Sequence, residues 1–242
     1  MTLVQTEPKS IKIWTTNIKR VTMRPNGTEK QIRPAWWTPG ANTLLYLPFK
    51  SDLLDHSWNS VSLVTQGSVS IDNATAKFNG WYIYKTWSYG AALPLTVSLW
   101  VKFSSIPSSE EYCIINSNNY RGGYYGWNIS LMSNNKQIRL ETLPWSSVYT
   151  GVTAVANTRY YVTAVIKSGG SILYLNGTQK GTTTGTPSLQ NYLWIGTNYW
   201  GSADLWKQTL RWNLSEVIIE NKEWTAQEVS DYYNSIKWNY WL

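Results

Sequence analysis

A single histidine, His56, and a single cysteine, Cys113, bound the chemistry open to this chain of 242 residues. With a single imidazole, neither a His-based metal site nor a nucleophilic triad is expected. Cys113 lies in the apolar run Tyr112-Cys113-Ile114-Ile115, which predicts a buried, inert thiol, and a lone cysteine excludes an internal disulfide. The carboxylates are equally unpromising. Glu110 and Glu111 are adjacent, so an extended backbone sends them to opposite faces. Glu216 and Glu220 flank an apolar run expected to be a buried strand. Solvated or salt-bridged roles are expected for all four, not paired acid–base work.

Two aromatic segments offer binding rather than reaction. The first is Asn118-Asn119-Tyr120-Arg121-Gly122-Gly123-Tyr124-Tyr125-Gly126-Trp127, and the second is Asn198-Tyr199-Trp200-Gly201. Read as loops, they place Tyr120, Tyr124, Tyr125, Trp127, Tyr199 and Trp200 where their rings could stack on apolar faces of sugars. Arg121 and the asparagines would then bond the hydroxyls, with Gly122 and Gly123 supplying backbone freedom. Tyr, Trp and Arg also anchor protein–protein interfaces. The interface reading ranks ahead of the carbohydrate reading, and the candidate set is the same for both.

Composition fits a surface that touches something. Trp 16 and Tyr 17 stand against Phe 3, and Trp and Tyr carry a polar tip suited to half-exposed faces. The net charge of +7 favours acidic partners in a general way. Yet Lys and Arg are scattered, densest at Lys19-Arg20, Arg24, Lys30 and Arg33, with no nucleic-acid motif. Nucleic acid is not expected as a partner. No stretch approaches a membrane span. Residues Met1 to Pro8 are polar, so no secretion signal is expected and Met1 is taken as the natural start.

These candidate residues must be held by strands. Leu95, Val97, Leu99, Val101 and Phe103 alternate with polar residues, the pattern of a half-buried strand. Residues 127–131, 137–141, 161–167, 172–175, 193–195 and 214–219 read likewise, with turns expected at Asn134-Asn135, Ser168-Gly169-Gly170 and Asn176-Gly177. Thr225-Ala226-Gln227-Glu228 is a capping box opening a helix with Val229, Tyr232, Tyr233 and Ile236 on one face. The aromatic tail, Trp238 to Leu242, is expected to dock. Residues 1–40 differ: strand-like segments surround Pro25-Asn26-Gly27, predicting a short β-arm that serves assembly and cannot bury its own core. The expected organisation is an arm over 1–40 and a main domain over 41–242.

The order of motifs in the main domain resembles the laminin G-like, concanavalin A-like lectin/glucanase superfamily. Leu44-Leu45-Tyr46-Leu47-Pro48-Phe49 with Asp52 to Ser57 resembles the opening strand and loop. Phe78-Asn79-Gly80, Leu95 to Phe103 with Trp100, Tyr174-Leu175-Asn176-Gly177, Trp194-Ile195-Gly196 and Leu214 to Tyr233 resemble later motifs in the family's order. The resemblance spans residues 42–236. It implies an all-β, two-sheet antiparallel jelly-roll sandwich with a short C-terminal helix. It leaves function open, because this fold hosts lectins, glycan hydrolases, adhesion modules and virion parts. Hydrolases of the fold carry Glu-x-Asp-x-Glu on one strand, a pattern absent here, so no enzyme is expected. Calcium is the one cofactor the resemblance raises. Asp52, Asp55 and Glu216 would be its ligands, although Ser215 and His56 depart from the family pattern and turn-forming roles for the aspartates rank ahead.

An arm before such a domain also resembles bacteriophage tail, fibre or head-decoration proteins. The expectation is therefore a non-enzymatic virion structural or adhesion protein. Its partners would be other virion subunits, copies of itself or a cell-surface glycan. A carbohydrate-binding lectin module, extracellular or at a cell surface, is the alternative, and a glycan hydrolase the third.

Overall fold

The computed structural model describes residues 38–85, 89–109, 111–119, 125–144, 146–197 and 211–240. The chain divides between Thr38 and Pro39, and the second unit is the one described here. The expected β-arm lies outside the described residues up to position 37.

Fifteen strands follow in chain order among the described residues: β1 (Thr43–Leu47), β2 (Val64–Gln66), β3 (Ser70–Asp72), β4 (Thr75–Asn79), β5 (Tyr82–Lys85), β6 (Leu95–Phe103), β7 (Tyr112–Asn119), β8 (Tyr125–Leu131), β9 (Gln137–Leu143), β10 (Ser146–Thr153), β11 (Arg159–Ile166), β12 (Ile172–Leu175), β13 (Thr178–Thr182), β14 (Leu193–Ile195) and β15 (Arg211–Glu220). They form two antiparallel sheets. The first runs β13-β12-β11-β6-β15-β4-β3, and the second runs β10-β9-β8-β7-β14-β5-β2. Strand β1 joins the first sheet beside β4, because β15 is long enough to pair with both on one edge. Between the two pairings β15 bulges, with Glu216 at φ 51. This is an all-β jelly-roll sandwich, as expected, closed by one short helix, α1 (Ala226–Ile236).

Period-two patterning builds the core. Leu95, Val97, Leu99, Val101 and Phe103 of β6 pack inward with Ile115, Ile129, Leu140 and Ile195 from the facing sheet. The expected turn at Asn176-Gly177 joins β12 to β13 with both residues at positive φ, 51 and 77, the conformation of a tight I′ hairpin.

Strand β6 departs from its half-buried expectation, because its outer face is buried as well: Thr96, Ser98 and Trp100 are all inaccessible. Helix α1 and the tail cover them. The capping box forms as read, with Thr225 Oγ1 accepting from Glu228 N and Glu228 Oε2 accepting from Thr225 N. Val229, Tyr232 and Ile236 are buried. Trp100 meets Tyr161, Tyr233 and Tyr240 at ring separations of 5.2, 5.9 and 4.9 Å, so the tail docks as far as Tyr240.

Burial of this aromatic layer makes the fold sensitive to alkali. Burial pushes the phenols of Tyr161 and Tyr232 well above their ordinary value, with Glu216 adding to both. Tyr89, inside the sandwich, is pushed up to about 12 by burial. The folded value exceeds the unfolded one, so the associated stability is complete below pH ~10 and is lost as pH rises towards ~12. For Tyr89 alone that interval amounts to about 3 kcal/mol. Urea midpoints should therefore hold steady from pH 7 to 9 and fall between 10 and 12, together with tyrosinate absorbance. A midpoint unchanged at pH 11.5 would contradict the burial of these phenols.

Candidate functional site

The candidate site is the outer face of the second sheet, and register assembles it. Pairing carries one continuous row across six strands: Tyr84 on β5 opposes Trp194 on β14, Trp194 opposes Asn116 on β7, Asn116 opposes Asn128 on β8, Asn128 opposes Glu141 on β9, and Glu141 opposes Ser147 on β10. Their chain neighbours Ile83, Ile195, Ile115, Ile129 and Leu140 point into the core, so alternation turns this row outward. Ser130 and Arg139 form a second row and Asn118 extends the contribution of β7.

One end of the row is aromatic. Tyr84 stacks on Trp194 at 4.8 Å and 12°, and Tyr82 closes the cluster at 5.6 Å from Trp194 and 5.8 Å from Tyr84. Tyr82 and Tyr84 are half-buried and Trp194 is buried. Desolvation, then Tyr84, raises the Tyr82 phenol above its ordinary value.

The other end is a charged network. Arg139 Nη2 donates to Glu111 Oε1 and Oε2 at 2.9 and 3.0 Å, and to Glu141 Oε2 at 3.2 Å. Asn128 Nδ2 donates to Glu111 Oε1 at 2.8 Å, while its Oδ1 accepts from the Cys113 thiol at 3.1 Å. Cys113 is fully buried, and burial followed by the charge of Glu111 drives its thiol well above the usual range, so it is the inert thiol expected.

Between the two ends lie unpaired polar atoms. Asn116 Nδ2 donates to the Thr197 carbonyl at 2.6 Å and to Cys113 Sγ at 3.0 Å, which leaves Asn116 Oδ1 without a partner. Both polar atoms of Asn118 and the hydroxyl of Thr197 are unpartnered too. All three residues are 0% exposed. A buried polar group left unpaired costs about 1–3 kcal/mol.

The sequence candidates fall differently. Tyr120, Arg121, Tyr124, Tyr199 and Trp200 lie outside the described residues. Tyr125 begins β8 and is 42% exposed. Trp127, expected on a loop surface, is instead in the core: β8 starts at Tyr125, so the loop is shorter than the residue pattern suggested and Trp127 takes an inward position. Gly126 serves close packing, since a Cβ there would lie 1.8 Å from the Ser117 carbonyl oxygen.

The three calcium candidates do not form a site. Asp55 accepts four hydrogen bonds, from Tyr46 N, Ser57 N, Ser57 Oγ and Val61 N, the turn-forming role ranked first. Asp52 accepts from Leu54 N and pairs with His56 Nε2 at 2.9 Å. Glu216 is buried on β15 and accepts from the hydroxyls of Tyr46 and Tyr240. Among the described residues no three His, Cys, Asp or Glu side chains gather as metal ligands.

The fold is a lectin-type jelly roll whose second sheet carries rings, amides and carboxylates on its outer side, with Asn116, Asn128, Trp194 and Glu141 buried. The chain belongs to the Concanavalin A-like lectin/glucanases superfamily, whose laminin G-type profile matches residues 82–230. No curated protein matches the sequence. Similar solved structures include the binding domain of botulinum neurotoxin serotype D, at TM-score 0.61 and 19% identity over 80% of this chain and 51% of that one. The chain thus spans about half the length of that toxin domain. Domain 4 of AbnA, a GH43 extracellular arabinanase from Geobacillus stearothermophilus solved with arabinotriose, aligns at TM-score 0.64 and 17% identity, over 79% and 98% of the two chains. Trypanosoma rangeli sialidase in complex with sialic acid aligns at TM-score 0.67 and 15% identity, over 83% and 34%. At these identities the likeness is one of fold.

Proposed function

We propose that this domain is a non-enzymatic adhesion module that binds cell-surface glycan on the outer face of its second sheet. The observation that carries the reading is the row from Tyr84 and Trp194 to Asn116, Asn128 and Glu141, which sets a ring stack beside planar hydrogen-bonding groups. Rings take the apolar face of a sugar, and amides and carboxylates take its hydroxyls. Binding domains among the structures of similar fold support the same reading. Against catalysis stands the engagement of the face's two carboxylates, Glu111 and Glu141, with one guanidinium. His56, the single imidazole, pairs with Asp52 in another loop.

The test is a glycan array probed with the full chain, followed by titration of the best ligand. Tyr84→Ala should weaken binding about tenfold, equivalent to about 1.4 kcal/mol. Silence across a broad array, or full affinity in Tyr84→Ala, would overturn the reading.

A virion tail, fibre or capsid decoration is the setting we propose for this module, with assembly through residues 1–40. Its support is the strand-patterned segment around Asn26-Gly27 ahead of the domain. Light scattering should show an oligomer that the variant lacking residues 1–37 fails to form; a full chain that remains a monomer would remove this setting.

A further inference from the structure

Two cations stand face to face on the outer side of the first sheet, the side that carries α1. We infer that Arg159 and Lys102, with Asn213 and Lys77 beside them, form a docking row for an acidic polysaccharide. This row lies on the other sheet from Tyr84 and Trp194 and does not depend on the face proposed above.

Register builds the row. Arg159 on β11 opposes Lys102 on β6, Lys102 opposes Asn213 on β15, and Asn213 opposes Lys77 on β4. Their chain neighbours Tyr160, Val101, Trp212 and Phe78 belong to the core, so alternation turns all four residues outward. The Arg159 guanidinium marks the same side, 5.8 Å from the ring of Tyr240 in the docked tail. With strands about 4.8 Å apart, the row is about 14 Å long, room for a short oligosaccharide. Arg159, Lys102 and Asn213 are partly exposed and Lys77 is exposed, so a ligand reaches them from solvent.

The pairing of Arg159 with Lys102 runs against sheet stability. Like charges directly opposite on antiparallel strands are destabilising. No carboxylate answers these two: neither forms an ion pair among the described residues. Arg159 is also partly desolvated beside Tyr240, and that burial lowers its pKa from the ordinary value. A local rule broken without compensation inside the fold points to a partner outside it. An acidic group bridging the two side chains turns their repulsion into charge-assisted hydrogen bonds.

The rest of the row sets the class of ligand. Asn213 places an amide, donor and acceptor together, between Lys102 and Lys77, and so suits a hydroxyl. Lys77 pairs with Asp72 at 2.6 Å, but the two side chains are 47% and 52% exposed. Such surface pairs hold little energy, so Lys77 can turn to a second acidic group. Acid, hydroxyl and acid in one line is the pattern of an acidic polysaccharide. The four residues include no ring for a nucleic-acid base to stack on and no aliphatic side chain to enter a bilayer. The net charge of +7 draws a polyanion towards the chain.

The experiment titrates the full chain with oligogalacturonate as the carboxylated probe, dextran sulfate as the sulfated one and dextran as the neutral control. At least one acidic probe should bind, and dextran should bind at least tenfold more weakly. Lys102→Gln and Arg159→Gln should each weaken the acidic probe tenfold or more. Lys85→Gln removes the same charge from β5 in the second sheet and should change the affinity less than twofold. The urea midpoint of Lys102→Gln should hold or rise, because the like-charge contact is gone; a purely structural lysine would lower it. Binding of neither acidic probe overturns the inference, as does an equal loss in Lys85→Gln, which would make net charge the cause. Unchanged affinity in both row variants, or a lower midpoint in Lys102→Gln, overturns it too. Vesicles of phosphatidylglycerol provide the last arm: if they bind, Lys102→Gln releases them and neither polysaccharide binds, the row serves a lipid surface and the polysaccharide is ruled out.

Discussion

Arg139→Met should destabilise this domain by about 3–5 kcal/mol, the cost typical of stranding a buried charge by removing its partner. The guanidinium bridges Glu111 and Glu141, and side-chain exposures are 10% for Arg139, 18% for Glu111 and 9% for Glu141. Methionine fills much of the same volume, so cavity formation contributes little and the loss reports on charge. Both carboxylates would lose the guanidinium, and Glu111 would keep the Asn128 Nδ2 donor. Two further substitutions separate this account from simple loss of packing. Combining Arg139→Met with Glu111→Gln and Glu141→Gln removes the stranded charges while keeping an acceptor for Asn128, and should recover at least half of the loss in urea midpoint. If Arg139→Met costs less than about 1 kcal/mol, the pairs behave as solvated surface pairs and the face is wetter than its burial indicates.

How much of this architecture is legible in the sequence depends on periodicity. Strand β6, the Asn176-Gly177 hairpin and the capping box at Thr225 follow from local pattern, because each is decided by contacts within a few residues. The double burial of β6 does not. Thr96, Ser98 and Trp100 look like a solvent face until α1 returns more than a hundred residues later to cover them. Strands β2 and β3 escape notice because three-residue pairings carry too short a pattern to register. Strand β7 escapes the pattern through its own polarity: Asn118-Asn119 reads as the start of a loop, yet tertiary pairing with β8 and β14 makes these residues part of a central strand.

The site was hidden for a related reason. Asn128 and Ser130, or Arg139 and Glu141, are ordinary residues for the wet face of a half-buried strand. Nothing local shows that Tyr84, Trp194, Asn116, Asn128 and Glu141 form one line, since that line exists only through the register of four different pairings. The available signal was weak but physical: strands that alternate aliphatic residues with amides and charges, next to Tyr82-Ile83-Tyr84 alternating rings with an aliphatic. The loop aromatics stand out in the sequence because Gly122 and Gly123 mark a turn, although the alternation of Trp127 with Ile129 and Leu131 places Trp127 inside.

Removing the last nineteen positions, Trp224 to Leu242, should abolish cooperative folding altogether. Trp224, Val229, Tyr232 and Ile236 are buried against the first sheet, and each fully buried large side chain contributes about 1.5–3 kcal/mol. Four of them approach the whole stability of an ordinary domain, about 5–15 kcal/mol, before the polar losses are counted. Those losses are specific. Glu220 Oε2 would lose the Trp224 indole donor at 2.6 Å, and Glu216 Oε2 would lose the Tyr240 hydroxyl at 3.2 Å, leaving two carboxylates on β15 under-satisfied where the helix used to be. Trp100 and Tyr161 would become a naked aromatic patch in the middle of the first sheet, an invitation to aggregate. The expected readings are a thermal melt without a sigmoidal transition and strong binding of a hydrophobic dye. A milder variant grades the effect: Trp224→Ala, which empties a buried aromatic site and strips Glu220 of one donor, should cost about 3–5 kcal/mol while retaining a cooperative transition. A truncated chain that still melts sharply would mean the two sheets alone suffice, and the helix would then be an addition to the sandwich, not a third layer of it.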